Sequence, residues 1–466
     1  MHIRAGILDE IERDYQVAQI ACGGQRVWPY LRHSYYFSCV EKERDRKRDG
    51  GLLRWIKRFA TVAWGLAYGW RGWFRKYDYI IFTDTSKLKE YRGIKVDKLA
   101  HIISELVGED AVLFVESPNP GYSGLSDIAE KNVMSGSPLS IISFLYKLGG
   151  PRKPDVEGVE VLETIDRDFG LDVDHMTRIR DQHALHKAYL LFFRLFRPKA
   201  VFTTVYGFHI AKAARESGIK SIEIQHGFIG RMNPAYHSSI ELDMDHFPDH
   251  LFVSGKNDVE ALKGTTLYEQ KNIRAVGSFY IEYMREYPGG DPVLTSMLSG
   301  FERSVGVTLQ WGADGLVEFI VDAARLDPGI LYLLIPRPLD EKDFSAYEFP
   351  ENVIVWEGLD FYKTIKHVDF HTTVYSTCAV EAPSLGVQNI LVDIGGLATH
   401  YFSSVLSDPS VTRITDTPRD YVDAIRDLPK MAAEEIVSRN GANFRTDYDR
   451  NIRKHLSEVL GEGCMR

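Results

Sequence analysis

Cysteine is scarce in this sequence and nowhere paired. Cys22, Cys39, Cys378 and Cys464 are scattered over 466 residues, with no CxxC and no Cys/His group at zinc-ligand spacing. Neither a disulfide framework nor a metal site is expected, and the cysteine usage suits a reducing, cytoplasmic compartment. No apolar run approaches the ~18 residues that a membrane-spanning helix needs. The opening MHIRAGILDEIERDY carries acids where a signal peptide needs an apolar core. A basic surplus is also missing: the net charge of −9 and pI near 6.0 argue against a nucleic-acid partner. There is no GxxxxGK[ST] loop and no GxGxxG opening a helix after a strand, which disfavours kinases, ATPases and common nicotinamide enzymes. No repeat of 20–50 residues is visible.

What is present is the balance of a globular protein, 44% hydrophobic and 26% charged. The length suits two or three domains at roughly 100–200 residues each. One segment stands apart. Leu52 to Lys76, LLRWIKRFATVAWGLAYGWRGWFRK, holds six basic residues, no acid, and Trp55, Trp64, Trp70 and Trp73. Such a helix suits the headgroup layer of an anionic membrane, at the inner face. It equally suits a helix buried against a neighbouring domain, and Gly65, Gly69 and Gly72 weaken it as an independent helix.

Beyond Lys76 the chain alternates short apolar, β-branched runs with helical stretches, the pattern of βαβ units and a parallel sheet. Strands are expected at Tyr79–Thr83, Ala111–Val115, Ala200–Thr204, Ser221–Gln225, His250–Ser254 and Arg274–Val276. Between Tyr283 and Ser299, Tyr287-Pro-Gly-Gly-Asp-Pro292 breaks the composition and reads as an interdomain linker. The pattern then restarts at Gly306–Gln310, Ile330–Ile335, Asn352–Trp356, Val368–His371 and Gln388–Val392, with a helix from about Gly315 to Leu326. Helices close the chain. The expected organisation is an N-terminal region over 1–76, Rossmann-like domains over 77–282 and 300–420, and C-terminal helices over 421–466. Two doubly wound α/β domains in tandem would face a cleft, with ligands at the C-terminal ends of their strands.

Candidate chemistry therefore lies just after each strand. His226, in Gln225-His226-Gly227, can act as a general base or contact a phosphate, or it can be a loop histidine bonded to backbone. Gly227 would allow close backbone approach. Ser376 and Thr377 fit N-cap positions where hydroxyls and free N–H groups hold phosphate, and Glu381, about one turn later, is placed to accept from ribose hydroxyls. The alternative is an ordinary capped helix. Arg337, in Pro336-Arg337-Pro338, could pair with a diphosphate or be a surface arginine. Gln310, and Gly255 with Lys256, are weaker nucleotide contacts. Asp84 and Glu116 are weaker candidates for a base acting on an acceptor hydroxyl.

The stretch from Ser376 to Gly386, ending in Glu-Ala-Pro-Ser-Leu-Gly, resembles the donor-binding signature of GT-B glycosyltransferases and of the related UDP-N-acetylglucosamine 2-epimerases. Gln225-His226-Gly227, followed by Pro248-Asp249-His250-Leu-Phe-Val-Ser-Gly255, is similar to bacterial capsule and lipopolysaccharide transferases of that fold. The resemblance spans about Ala200 to Val392. It implies a GT-B enzyme whose C-terminal half holds a UDP- or CMP-type nucleotide sugar and whose N-terminal half takes a glycan or glycolipid acceptor. Arg337, Ser376 and Thr377 would then neutralise the leaving phosphate, Glu381 would hold the ribose, and no cofactor or divalent ion would be required. Where many such transferases carry His-Pro, this chain has Arg337-Pro338, which keeps the cation and loses a titratable donor. A 2-epimerase, a CDP-polyol phosphotransferase and a non-catalytic assembly subunit are the rival readings.

Overall fold

Short runs of aliphatic and aromatic residues, closed by a polar residue, form the strands of two parallel sheets in the computed structural model. It describes residues 6–41, 60, 62–63, 65–66, 70–117, 128–151, 154–205, 207–231, 233–310, 315–337 and 343–464. The first sheet comprises β1 (Tyr79–Asp84), β2 (Val112–Ser117), β3 (Val133–Ser135), β4 (Ala200–Thr203), β5 (Lys220–Ile224), β6 (His250–Val253) and β7 (Ile273–Ala275). The second comprises β8 (Arg303–Thr308), β9 (Ile330–Ile335), β10 (Val353–Val355), β11 (Phe370–Thr372), β12 (Gln388–Val392) and β13 (Thr412–Thr415). Every residue of β9 and of β12 is buried, as expected for strands covered by helices on both faces.

Strand order is β7-β6-β5-β4-β1-β2-β3 in the first sheet and β10-β9-β8-β11-β12-β13 in the second, with all neighbours parallel. Both follow the doubly wound pattern in which the third, second and first strands lie on one side and the fourth onward on the other. The direction of winding reverses between β1 and β4 in one sheet and between β8 and β11 in the other. Such reversals splay the connecting loops apart at the strand C-termini and leave a crevice for ligand.

The chain divides into two compact units. One contains 6–254, 258–276 and 447–464; the other contains 255–257 and 277–446. Three boundaries differ from the sequence expectation. The N-terminal region is part of the first unit's core: Leu8, Ile11, Trp28, Leu31 and Tyr35 cluster with Tyr236, Phe247, Leu251 and Ile273. The last helix, Tyr448–Leu460, also belongs to the first unit. The Pro-Gly-Gly break lies inside the second unit, between helices Phe279–Glu286 and Pro292–Leu298. Lys366 Nζ explains this, since it donates to the carbonyls of Met284, Arg285 and Tyr287 at 2.7, 3.0 and 2.7 Å and ties that helix end to the second sheet's unit.

The basic aromatic segment is described only in part; Trp55 and Trp64 lie outside the described residues. Where it is described it packs on the first unit. A Cβ on Gly65 would lie 2.1 Å from Ser137 Oγ, and one on Gly72 would touch Leu113 and Met134. Trp73 meets Phe192 and Phe196 edge-on, whereas Phe74 is 83% exposed. Among the described residues, no helix is long and apolar enough to cross a membrane.

A buried ion pair fastens the N-terminal helices to this unit. Glu12 Oε1 accepts from Arg32 Nε at 2.8 Å and Trp28 Nε1 at 3.1 Å; its Oε2 accepts from Ser238 Oγ at 3.0 Å and Ser239 N at 2.8 Å. Arg32 donates in turn to the carbonyls of Pro234 and His237. Removing one partner strands the other charge in the core, which typically costs about 3–5 kcal/mol. Glu12→Ala should therefore lower the urea midpoint sharply. The double change Glu12→Leu/Arg32→Met, which buries no charge, should recover much of the loss in the same denaturation experiment.

Candidate functional site

In the second unit the reversal between β8 and β11 collects several of the residues singled out in the sequence. His371, within β11, is fully buried. Its Nδ1 lies 2.8 Å from Asn389 Oδ1 and its Nε2 2.8 Å from Thr308 Oγ1, so one buried imidazole ties β12, β11 and β8 together. Burial, opposed by the Asn389 hydrogen bond, holds its pKa down to about 4, and the ring is neutral at physiological pH. Gln310 turns its amide back onto the loop beyond β11. Its Oε1 is 3.0 Å from Thr373 Oγ1 and accepts from Tyr375 N at 3.0 Å. Gln310 thus shapes the turn that leads to Ser376.

That turn enters the helix Cys378–Ser384. The expectation was that Ser376 and Thr377 both cap it. Thr377 occupies the N-cap with helical backbone angles and makes no side-chain cap bond; Ser376 Oγ accepts from Cys378 N at 3.3 Å. Glu381 lies in the first turn, and its Oε1 accepts from the buried hydroxyl of Tyr362 at 2.8 Å. Burial, reinforced by that carboxylate, raises the Tyr362 pKa far above its ordinary value, so the phenol stays a donor. The rest of the Glu-Ala-Pro-Ser-Leu-Gly stretch serves the fold. Ala382, Ser384 and Leu385 are buried. Arg285 Nε donates to Ser384 O at 2.6 Å. Gly386 has φ +85°, and a Cβ there would lie 2.5 Å from that of Ala433. Arg337 is exposed, two residues beyond β9; Trp311 and Gly312 fall outside the described residues.

In the first unit His226 lies two residues beyond the end of β5. Its Nδ1 is 3.3 Å from Glu223 Oε1 and 3.2 Å from Tyr236 Oη. Glu223 is buried and also accepts from Tyr236 Oη at 2.7 Å and from Tyr268 Oη at 2.8 Å. Gln225 anchors the turn, accepting from Ser254 N at 2.7 Å and donating to Gly227 O at 3.1 Å and Asp258 Oδ1 at 3.2 Å. A Cβ on Gly227 would meet only the Asn233 amide, at an ordinary 3.5 Å.

Gly255 has a structural explanation in place of the expected phosphate contact. A Cβ there would fall 2.3 Å from Asn443 O and 2.4 Å from Ala442 O, in the second unit to which both segments belong. Glu223, Tyr236, Tyr362 and His371 were missed as site residues. For Glu223 and His371 the available signal was a charged or polar side chain inside an otherwise apolar strand, as in Ile222-Glu223-Ile224.

Asp84 and Glu116 lie at the ends of β1 and β2. Asp84 accepts from Ser86 N at 2.8 Å and caps a short helical turn. Glu116 is buried, and among the described residues neither carboxyl oxygen has a hydrogen-bond partner. Burial first, then the charges of Asp97 and Asp84, push its pKa up to about 9. A carboxyl that keeps its proton to that pH is no base at neutral pH, which overturns that expectation for Glu116. Among the described residues no group of three or more His, Cys, Asp and Glu is placed to hold a metal ion.

Against solved structures, the chain matches a protein of Listeria monocytogenes assigned as a UDP-N-acetylglucosamine 2-epimerase. The TM-score is 0.50 at 12% identity, over 83% of this chain and 97% of that one. The architecture is GT-B-like. Two further likenesses are the glycosyltransferase of kitacinnamycin, at TM-score 0.48 and 14% identity over 84% and 100% of the chains, and Anabaena HepE, solved with UDP-glucose, at 0.46 and 11% over 82% and 99%. No family model and no curated protein matches the sequence. At 12% identity the first of these likenesses establishes fold alone.

The proton on Glu116 makes a measurable prediction. Its folded pKa lies above its unfolded one, so the native state holds a proton that the unfolded chain has released. Stability should then fall as pH rises from the ordinary 4.5 towards about 9, by up to about 1.4 kcal/mol per pH unit. Glu116→Gln, neutral at every pH, should be more stable than wild type at pH 8, and the difference should shrink towards pH 5 in urea titrations.

Proposed function

We propose that this protein is a glycosyltransferase that moves a sugar from a nucleotide-sugar donor to a surface-polysaccharide or glycolipid acceptor. The observation that carries the reading is Glu381. It is a carboxylate in the first turn of the helix beyond the fourth strand of a doubly wound sheet, at the point where winding reverses, held in place by a buried tyrosine. Ligands of such sheets bind there, and a carboxylate so fixed suits the paired hydroxyls of a ribose. Ser376 and Thr377, on the same turn, and Arg337, beyond β9, two strands away from β11 in the sheet, would meet the phosphates.

On this reading the bond between the anomeric carbon and the nucleotide's phosphate oxygen breaks, and the electron pair leaves with the phosphate. Donors fixed where that charge grows lower the barrier. Arg337, Ser376 and Thr377 would supply them without an obligatory metal ion. The first unit would hold the acceptor, with His226 as its ionisable group. A UDP-type donor is favoured over a CMP-type one by Arg337, because a guanidinium can pair bidentately with a diphosphate.

The test is thermal shift against UDP, CMP, CDP, GDP and dTDP, with and without EDTA. A ligand at 100 times its Kd should stabilise the protein by about 2.7 kcal/mol. We expect UDP to give that shift in EDTA, Glu381→Ala to abolish it, and Arg337→Ala to weaken it. No shift with any nucleotide would sink the reading. Turnover of a UDP-sugar without any acceptor would convert it to epimerase chemistry.

A further inference from the structure

The helix Ser137–Gly149 reads SPLSIISFLYKLG, with Lys147 as its single charged residue. One side of it belongs to the core of the first unit: Leu139 is buried with Phe192, Phe193 and Phe196, and Ile142 packs against that cluster. Lys147 is paired with Asp181 of the helix His175–Phe196. The opposite side is just as apolar. Ile141, Phe144, Leu145 and Leu148 are spaced three and four residues apart, so they share one stripe of the helix. Ile141 is half-buried, but Phe144, Leu145 and Leu148 are 58, 60 and 65% exposed. A surface helix normally turns polar residues to water, and one that is apolar all round is covered all round. Single exposed apolar residues are ordinary. Here, among the described residues, four of the eleven large exposed hydrophobic side chains fall within positions 144–148, which makes a patch.

Charge indicates what would cover that stripe. Between Glu130 and Asp155 the sequence has Lys131, Lys147, Arg152 and Lys153 and no acidic residue. The basic aromatic stretch over 52–76, with six basic residues and no acid, comes up to the same helix: Gly65 lies against Ser137, in its first turn. Two acid-free stretches thus meet in a chain whose net charge is −9. A second copy docked symmetrically by the same face would set like charges against each other. Anionic lipid headgroups over an acyl layer match both the basic residues and the apolar stripe.

We infer that the exposed stripe of helix Ser137–Gly149 is a docking face for an anionic lipid bilayer, with Phe144, Leu145 and Leu148 inserting into the headgroup and upper acyl layer. The face lies wholly in the first unit. The helix begins two residues beyond β3, at the C-terminal end of the first sheet, where the ligand crevice of such a sheet opens. One consequence rests on the transferase reading: the acceptor held by this unit would be carried in the bilayer. The docking face itself does not depend on that reading.

The test is co-sedimentation of the full-length protein with extruded vesicles, made either of phosphatidylcholine alone or of equimolar phosphatidylcholine and phosphatidylglycerol. Wild type should bind the mixed vesicles in preference to the neutral ones, and added salt should weaken binding through screening. Phe144→Ser/Leu145→Ser/Leu148→Ser should weaken binding at least ~10-fold, because insertion scales with buried apolar area. The urea midpoint of this variant should match that of wild type, since the three side chains stand mostly in water. Leu148→Ser alone, at the most exposed position, carries the test if the triple variant folds poorly.

Wild type left in the supernatant with mixed vesicles, equal binding to both compositions, or binding indifferent to the serine substitutions overturns the inference. So does a concentration-dependent dimer in sedimentation velocity that the triple variant abolishes, which would give the stripe to a second copy. The UDP thermal shift, measured on the same proteins, should be unchanged by the serine substitutions. If UDP gives no shift while vesicle binding follows the substitutions, the transferase reading fails and the docking face stands.

Discussion

The first unit depends on the ion pair between Glu12 and Arg32. It joins helices Ile7–Asp14 and Trp28–Glu41 to the loop at 234–239, more than 200 residues later in sequence. Burying two charges is expensive and is offset only when the remaining lone pairs and N–H groups are satisfied. Here four donors saturate the carboxylate, and the guanidinium reaches two loop carbonyls that no strand or helix would otherwise pair. The pair thereby fixes a stretch of irregular chain from which Tyr236 extends to Glu223 and His226. The orientation of a strand-end histidine is set, through one tyrosine, by a charge pair at the N-terminus.

The second unit reaches a defined turn by neutral means. His371, Asn389, Thr308, Gln310 and Thr373 form hydrogen bonds across β8, β11 and β12 with no net charge, and the depressed pKa of the imidazole keeps it so. A neutral lattice adds rigidity to the turn without burying a charge. It also shows how a motif can mislead. Within Glu-Ala-Pro-Ser-Leu-Gly, Ala382, Ser384 and Gly386 are constrained by packing, hydrogen bonding and a left-handed backbone, while Glu381 accepts from Tyr362.

Most of the two sheets was legible because parallel strands covered on both faces are written as continuous apolar runs. Ile330–Ile335 and Gln388–Val392 match their strands to the residue. The edges were less legible. Val133–Ser135 and Thr412–Thr415 are short and partly polar, and lack the contrast that marks a central strand. Asn352 was read as the start of a strand. Its side chain instead donates to the carbonyls of Ala324, Asp327 and Ile330, a role set by residues more than 20 positions away. The same non-locality hid the N-terminal helices' place in the core and the partners of His226. Spacing could identify His226 as a strand-end residue; it could not supply Glu223, Tyr236 and Tyr268 as the groups around it.

Three glutamates at or beyond strand C-termini show why residue type alone does not assign chemistry. Glu116 has no hydrogen-bond donor among the described residues and two acidic neighbours, and burial pushes its pKa up to about 9. Glu223 is also buried but accepts from two phenols and lies 3.3 Å from the His226 imidazole. Glu381 is half-buried and receives one phenol. By position each would pass as a catalytic carboxylate. The described donors around it separate a group that keeps its proton from groups that accept hydrogen bonds from phenols. Those donors come from tyrosines 13 to 45 residues away in sequence, so the assignment belongs to the fold and not to the motif.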